Sequence, residues 1–320
     1  MTIIAGFRCK KGVVLCADTQ ETVGNVSKRN VPKLRFERTP RVMATLGGTD
    51  LAAVFCGATD NGAFVDKLVD SAWVAARTQH SIEDVSAAIE CSIKDTYREF
   101  GEIYQLGYCP YAELIYGVKV NGESRLFAAA GPVVNKKDEY CTGGVGTYMA
   151  DFLAERMYDI TLTIQQCVIL AAYILFQAKE HVDGCGGKSH IAILREDAPS
   201  GFVDSRRIES ITENLEKADR QIGRPLLASS NLDLSDKEFR KEANDVFEVL
   251  EMFRSNQKED FKKWENFTEQ FNALFGISNK VDSFGIFVPS DDGKLEHEES
   301  AQAIIEEALG KPPDREGSES

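Results

Sequence analysis

Thr2-Ile3-Ile4-Ala5-Gly6-Phe7 follows Met1, and after a short polar break comes Gly12-Val13-Val14-Leu15-Cys16-Ala17-Asp18-Thr19-Gln20-Glu21-Thr22-Val23-Gly24-Asn25. Lys28-Arg29-Asn30-Val31-Pro32-Lys33-Leu34-Arg35 continues the stretch. The apolar runs are short, of strand length, and bounded by polar turns, which predicts β-strands rather than helix. With further runs over 33–36, 42–46 and 51–56, they predict that the domain opens with an antiparallel sheet.

Working outward, Phe64, Leu68, Ala72, Trp73 and Ala76 recur at helical spacing. A break at Gln79-His80 precedes a restart at Ser81, a candidate N-cap with Asp84 in place of the usual Glu or Gln. Residues 112–120 and 124–130 flank Asn121-Gly122, the signature of a type I′ hairpin. After the glycine-rich Thr142-Gly143-Gly144-Val145-Gly146-Thr147, helical stretches are expected over 148–157 and 163–181, then a strand over 189–194. The order is sheet, helix pair, sheet, helix pair, sheet. Amphipathic elements need a layer to bury against, so this order predicts an α+β fold, a four-layer α-β-β-α sandwich.

The last third differs. Residues 207–218 read as a charged helix, and Ser235-Asp236-Lys237-Glu238 forms a capping box before Phe239, Ala243, Val246, Phe247, Leu250 and Phe253. A second amphipathic stretch carries Phe261, Trp264, Phe267, Phe271 and Leu274, and these aromatic stripes are expected to dock on the sandwich or a neighbouring subunit. A last strand is expected over 281–289, and 291–320 form an acidic tail holding half of the chain's net charge. The division expected is 2–213 for the main domain and 214–320 for a helical extension.

The 320 residues carry a net charge of −14, with 43% hydrophobic and 28% charged residues, the composition of a globular protein. This charge opposes binding to nucleic acid or to an anionic membrane, both of which require clustered Lys and Arg. Eight widely spaced cysteines without a C-x-x-C pair read as reduced, mostly buried thiols. The charged Arg8, Lys10 and Lys11 follow too soon for a signal peptide, and the longest apolar run is too short to span a bilayer, so a cytoplasmic protein is expected. Four scattered histidines show no metal-site spacing, and G-x-S-x-G, Walker and dinucleotide motifs are missing, Met149 standing where the last would need glycine. Neither a metal nor an organic cofactor is implied.

Thr2 remains. Removal of Met1 would give it a free α-amine, with an ordinary pKa of about 7.7 to 8.0, beside its own hydroxyl, so one residue could supply base and nucleophile. Taken singly, Asp18 could be a turn residue and Lys33 a solvated strand end. The stretches quoted above resemble the β-type subunits of proteasomes, and among them the bacterial two-ring proteasome-like peptidase. The shared pattern is an initial Thr, a strand, G-V-V-x-A-x-D, a loop ending G-N, and K-x-N-V-x-K. It is specific over the first 35 residues and looser to about residue 213.

The resemblance implies an N-terminal-nucleophile hydrolase with Thr2 as nucleophile, Lys33 as the cation lowering the pKa of the amine and hydroxyl, and Asp18 holding Lys33. It implies an oxyanion donor at Gly57, with Gly47 as rival, and pocket walls at Glu21, Val31, Arg35 and Phe55. That set mixes charges and names no preferred substrate side chain. The sequence departs from the pattern at Val145, where a Ser is usual, at Asp183 and Cys185 in Val182-Asp183-Gly184-Cys185-Gly186-Gly187, at Ile3, and by a residue missing between Asn25 and Lys28. The function implied is threonine-type endopeptidase activity on peptides or unfolded proteins, activated by methionine removal alone, in rings of identical subunits served by an ATP-dependent unfoldase. An amidase of the same fold acting on small amides and a catalytically silent scaffold subunit are the alternatives. Residues 214–320 as an adaptor-binding module fit any of these.

Overall fold

The computed structural model describes residues 2–23, 27–39, 49–59, 61–103, 110–231, 233–275 and 286–287. The chain begins with a hairpin, β1 (Ile3–Cys9) against β2 (Gly12–Asp18), in which every residue of β2 is buried. A strand buried on both faces must be apolar at successive positions, as Val13-Val14-Leu15-Cys16-Ala17 is. β10 (Tyr140–Gly144) pairs with the free edge of β1, and β11 (Ser189–Arg195) with that of β2. β12 (Gly201–Val203) and β13 (Ile286–Phe287) extend this first sheet, whose order is β10-β1-β2-β11-β12-β13. The second sheet is an antiparallel meander of β5 (Leu34–Arg38), β6 (Leu51–Thr59), β7 (Ala112–Val120), β8 (Glu123–Ala130) and β9 (Val133–Lys137). Asn121 (φ 49°) and Gly122 (φ 89°) both lie in the left-handed region, as the type I′ turn between β7 and β8 requires.

Alternation along these strands divides the apolar side chains among three clusters. Ile4, Val13 and Leu15 of the first sheet meet Phe36, Val54, Ile115 and Leu126 of the second. On its other face the first sheet turns Phe7, Val14 and Cys16 toward α3 (Thr147–Met157), α4 (Ile164–His181) and α5 (Ser205–Ser230). The second turns Phe55, Tyr116 and Phe127 toward α1 (Gly62–Ala76) and α2 (Ile82–Ile103). Ser81 caps α2 through Asp84 N–H at 3.1 Å, and Thr163 and Gln166 form a reciprocal capping box on α4.

Several elements escape the apolar pattern. β3 (Gln20–Val23) and β4 (Ser27–Asn30) form a polar two-stranded ribbon, and β10 takes up the first half of the glycine-rich stretch, neither of which has strand-like alternation. Residues 236–275 form one 40-residue helix, α6 (Asp236–Phe275), instead of two stretches. Arg254-Ser255-Asn256-Gln257-Lys258-Glu259-Asp260 contains no Gly or Pro to stop it. Part of its expected docking stripe is open: Phe247 is 62% and Leu250 46% exposed. α5 runs unbroken through residue 213, with Ile208 and Ile211 in the core, and Asn256 Nδ2 on α6 donates to Asn214 Oδ1 at 2.8 Å. Of the expected strand over 281–289 only β13 is described, while 42–46 and the acidic tail lie outside the described residues. No described helix is long and apolar enough to cross a membrane. Cys91 is exposed, the other described cysteines are buried and free, and Cys109 lies outside the described residues.

His190, opposite Ala17 in the β2–β11 ladder, has no hydrogen-bond partner at Nδ1 among the described residues. Burial pushes its pKa down to about 4, with Lys188 acting in the same direction. The unfolded imidazole titrates near ~6.5, so between these values the unfolded chain binds more protons and stability falls as pH is lowered. The urea midpoint of His190→Gln should therefore drop less than that of the parent between pH 7 and pH 4. Parallel declines would contradict this.

Candidate active site

The β1–β2 hairpin brings Thr2 and Asp18 together. The ladder reaches Ile4↔Ala17, so the residue starting β1 faces the last residue of β2, and Ile3 N–H donates to Asp18 Oδ1 at 3.1 Å. Thr2 itself is nearly buried, and its carbonyl accepts from Gly146 N–H at 3.2 Å. Gly144, with φ 81°, lies so close that a Cβ there would sit 2.3 Å from the Thr2 carbonyl oxygen. No other residue type fits that contact. Glu113 Oε2 accepts from Gly144 N–H at 2.6 Å and fixes this turn against the second sheet. Lys33 comes from the connection between the β3–β4 ribbon and β5, one residue before Leu34.

The three side chains converge. Thr2 Oγ1 donates to Asp18 Oδ1 at 2.5 Å, and Lys33 Nζ donates to Thr2 Oγ1, to Asp18 Oδ1 at 2.6 Å and to the Gln20 carbonyl at 2.5 Å. All three ammonium protons are thereby used. The residue missing between Asn25 and Lys28 does not prevent Lys33 from reaching Thr2. Asp18 is fully buried and the Lys33 side chain only 10% exposed. Burial pushes the Lys33 ammonium below the ordinary lysine range, with the Asp18 carboxylate opposing the shift.

The segment of residues 182–188 closes the other side. Gly186 N–H donates to Asp18 Oδ2 at 2.9 Å, and the Gly186 carbonyl accepts from Gln20 N–H at 3.0 Å. Lys179 Nζ donates to the Gly187 carbonyl at 3.1 Å. Cys185 is buried beside this group, and burial pushes its thiol up to about 11, Asp18 adding to the rise, so it stays protonated at neutral pH. Asp183 is exposed, and Val145 is 42% exposed. The sequence contained the Gly186 donor within a recognisable motif. It gave no signal for the Gln20 carbonyl, because any residue supplies a backbone acceptor.

A cavity of about 80 Å³ opens beside Thr2 and Lys33, and Glu21, Val31, Arg35, Phe55 and Gly57 all line it. Gly57 lies one residue past the end of the β5–β6 ladder at Leu34↔Cys56, so no β5 residue is registered against it. Gly47 lies outside the described residues. Thr59, Val65, Asp66 and Val69, from the end of β6 and from α1, complete the wall. Sequence reading passed over them because their spacing marks only an ordinary amphipathic helix. Burial disfavours the Arg35 charge, but the carboxylates of Asp70 and Glu37 more than offset this and hold its pKa above the ordinary value. The arrangement is a hydroxyl held between an ammonium and a carboxylate beside a cavity.

The chain matches no protein-family model. It is 23% identical over 197 residues to the proteasome subunit beta of Archaeoglobus fulgidus, covering 61% of this chain and 86% of the relative. Among solved structures it resembles Anbu from Hyphomicrobium sp. strain MC1, with a TM-score of 0.55 at 17% identity, covering 73% of this chain and all of that one. Anbu from Yersinia bercovieri, described as an ancestral beta-subunit, gives 0.55 at 13% identity over 73% of this chain and all of its own. The Anbu complex from Pseudomonas aeruginosa, solved as a helical assembly, gives 0.56 at 13% identity, over 69% of this chain and 95% of its own. These similarities show a mixed α/β, proteasome-like fold and extend no further toward the two-ring peptidase.

Removing one member of a buried ion pair strands the other. Lys33→Met should lower stability by about 3 to 5 kcal/mol, and Asp18→Asn in the same chain should recover part of that loss in urea unfolding. An additive double-mutant cycle would contradict the coupling.

Proposed function

We propose that the chain is a threonine-type endopeptidase of proteasome β-like kind, an N-terminal-nucleophile hydrolase active once Met1 is removed. The observation that carries this reading is the contact of Thr2 Oγ1 with both Lys33 Nζ and Asp18 Oδ1 beside the cavity that Thr2 lines. Thr2 Oγ1 attacks the carbonyl carbon of a peptide bond while the Thr2 α-amine accepts the hydroxyl proton. The Lys33 cation favours the developing alkoxide and keeps the neighbouring amine neutral, and Asp18 holds Lys33 in place. A backbone N–H at Gly57 faces the tetrahedral oxyanion. The amine then gives its proton to the leaving nitrogen, the C–N bond breaks, and an ester remains on Thr2. Water attacks that ester with the amine again as base, the acid departs, and the proton returns to Oγ1. Residues 182–188 hold Asp18 through Gly186, and no metal or organic cofactor enters.

The three apolar clusters support a four-layer α-β-β-α sandwich as the core of a main domain over 2–213, while α5 crosses residue 213 and β13 pairs with β12 of the first sheet. Large apolar side chains left open on α3, Tyr148 at 89% and Phe152 at 50% exposure, support assembly with further copies of the chain, and a ring is the assembly proposed. On this reading the substrate is a peptide or an unfolded protein, delivered by an ATP-dependent unfoldase in the cytoplasm.

Protein with Met1 removed is expected to hydrolyse fluorogenic peptides, with Thr2→Ala slower by at least about a thousandfold and Thr2→Ser retaining part of the rate. Cleavage of acylated amino acids but not of peptides would favour the small-amide hydrolase. No turnover on either would leave a silent scaffold subunit.

A further inference from the structure

The cavity beside Thr2 has four ionisable side chains on its wall, Glu21, Lys33, Arg35 and Asp66, and their outer partners decide what charge it presents. Lys33 is saturated by Thr2, Asp18 and Gln20. Arg35 is drawn outward: its Nη2 donates to Asp70 Oδ1 at 2.6 Å and to Glu37 Oε1 at 3.1 Å, and its Nη1 lies 3.9 Å from Asp66 Oδ1. Three carboxylates thus share one guanidinium. On the neighbouring wall Glu21 Oε2 accepts from Arg29 Nε, and Oε1 lies beside Gly62 at the start of α1. Four carboxylates therefore face two guanidinium groups, leaving the rim with surplus negative charge. Asp66 has the longest contact of the set, and its side chain is 69% exposed.

We propose, resting on the peptidase reading above, that this pocket selects a Lys or Arg side chain on the carbonyl side of the cleaved bond, with Asp66 as the specificity-determining carboxylate. The carbonyl carbon must reach Thr2 Oγ1, so the side chain of that residue enters the cavity Thr2 lines. Its aliphatic stem lies along Val31, Phe55 and Val65 while its charged head meets Asp66, the division of labour that long basic side chains adopt at half-buried sites. An acidic side chain would meet the surplus negative charge, the Arg35 guanidinium already facing three carboxylates. An aliphatic one would cover Asp66 without pairing it.

The test measures kcat/KM on three peptides that differ only in having Arg, Leu or Glu before the reporter group. The parent enzyme is expected to prefer Arg. Asp66→Asn should lower the Arg-to-Leu ratio by about fivefold, the scale of a solvent-exposed ion pair, and Asp66→Lys should raise the Glu-to-Arg ratio above that of the parent. Asp66 is exposed on α1, so both variants should keep the parent's urea unfolding midpoint. Thr2-dependent cleavage with Leu or Glu preferred, or ratios unmoved by either substitution, would overturn the pocket assignment and leave the peptidase reading standing. Absence of Thr2-dependent cleavage on all three peptides would overturn both.

Discussion

Asp18 has no solvent-accessible surface, yet one of its oxygens accepts from Thr2, Ile3 and Lys33 and the other from Gly186. A carboxylate can stay charged in the interior only if donors replace the water it has lost. These donors come from three separate pieces of chain: Thr2 and Ile3 at the start of β1, the connection before β5, and the segment before β11. Ladder slippage by one residue between β1 and β2 would send Asp18 to the opposite face of the sheet and strand its charge. The same ion that organises the candidate site therefore also penalises misregistered versions of the first sheet.

Lys33 follows from this constraint. Its ammonium has lost most of its water, and its three protons go to a carboxylate, a carbonyl and a hydroxyl. Of these three acceptors only the hydroxyl carries a proton it can lose. Burial has already lowered the affinity of Lys33 for its proton, so the pair holds a cation that gains from any negative charge developing on Thr2 Oγ1. The glycine turn at Gly144 and its anchor on Glu113 serve the same end from the opposite side, holding the Thr2 backbone where its hydroxyl can meet both partners.

Legibility in the sequence tracked how strongly each element depends on its own residues. The β1–β2 hairpin, the Asn121-Gly122 turn and the helices capped at Ser81 and Thr163 carry their signals locally, in alternation, turn chemistry and caps. The β3–β4 ribbon and β10 do not, because polar or glycine-rich strands are defined by the neighbours they pair with. Thr2, Asp18 and Lys33 came from a motif resemblance and could not have come from periodicity, since 16 and 31 residues separate Thr2 from the other two. The pocket wall was half visible: Glu21, Val31, Arg35 and Phe55 stood in the motif region, whereas Asp66 lies on a helix whose sequence announces only its buried face. The pairing of Arg35 with Asp70, which changes the meaning of the mixed wall, exists only once β5 and α1 are side by side.

Under the proposed function Thr2, freed of Met1, offers an amine and an activated hydroxyl together. A peptide epoxyketone reacts with both groups at once, so intact-mass and peptide-level mass spectrometry of the treated protein test it most directly. A single covalent adduct on Thr2 is expected, lost in Thr2→Ala and formed more slowly in Lys33→Ala. A retained Met1, or a free Thr2 that several such peptides leave unmodified, would contradict it.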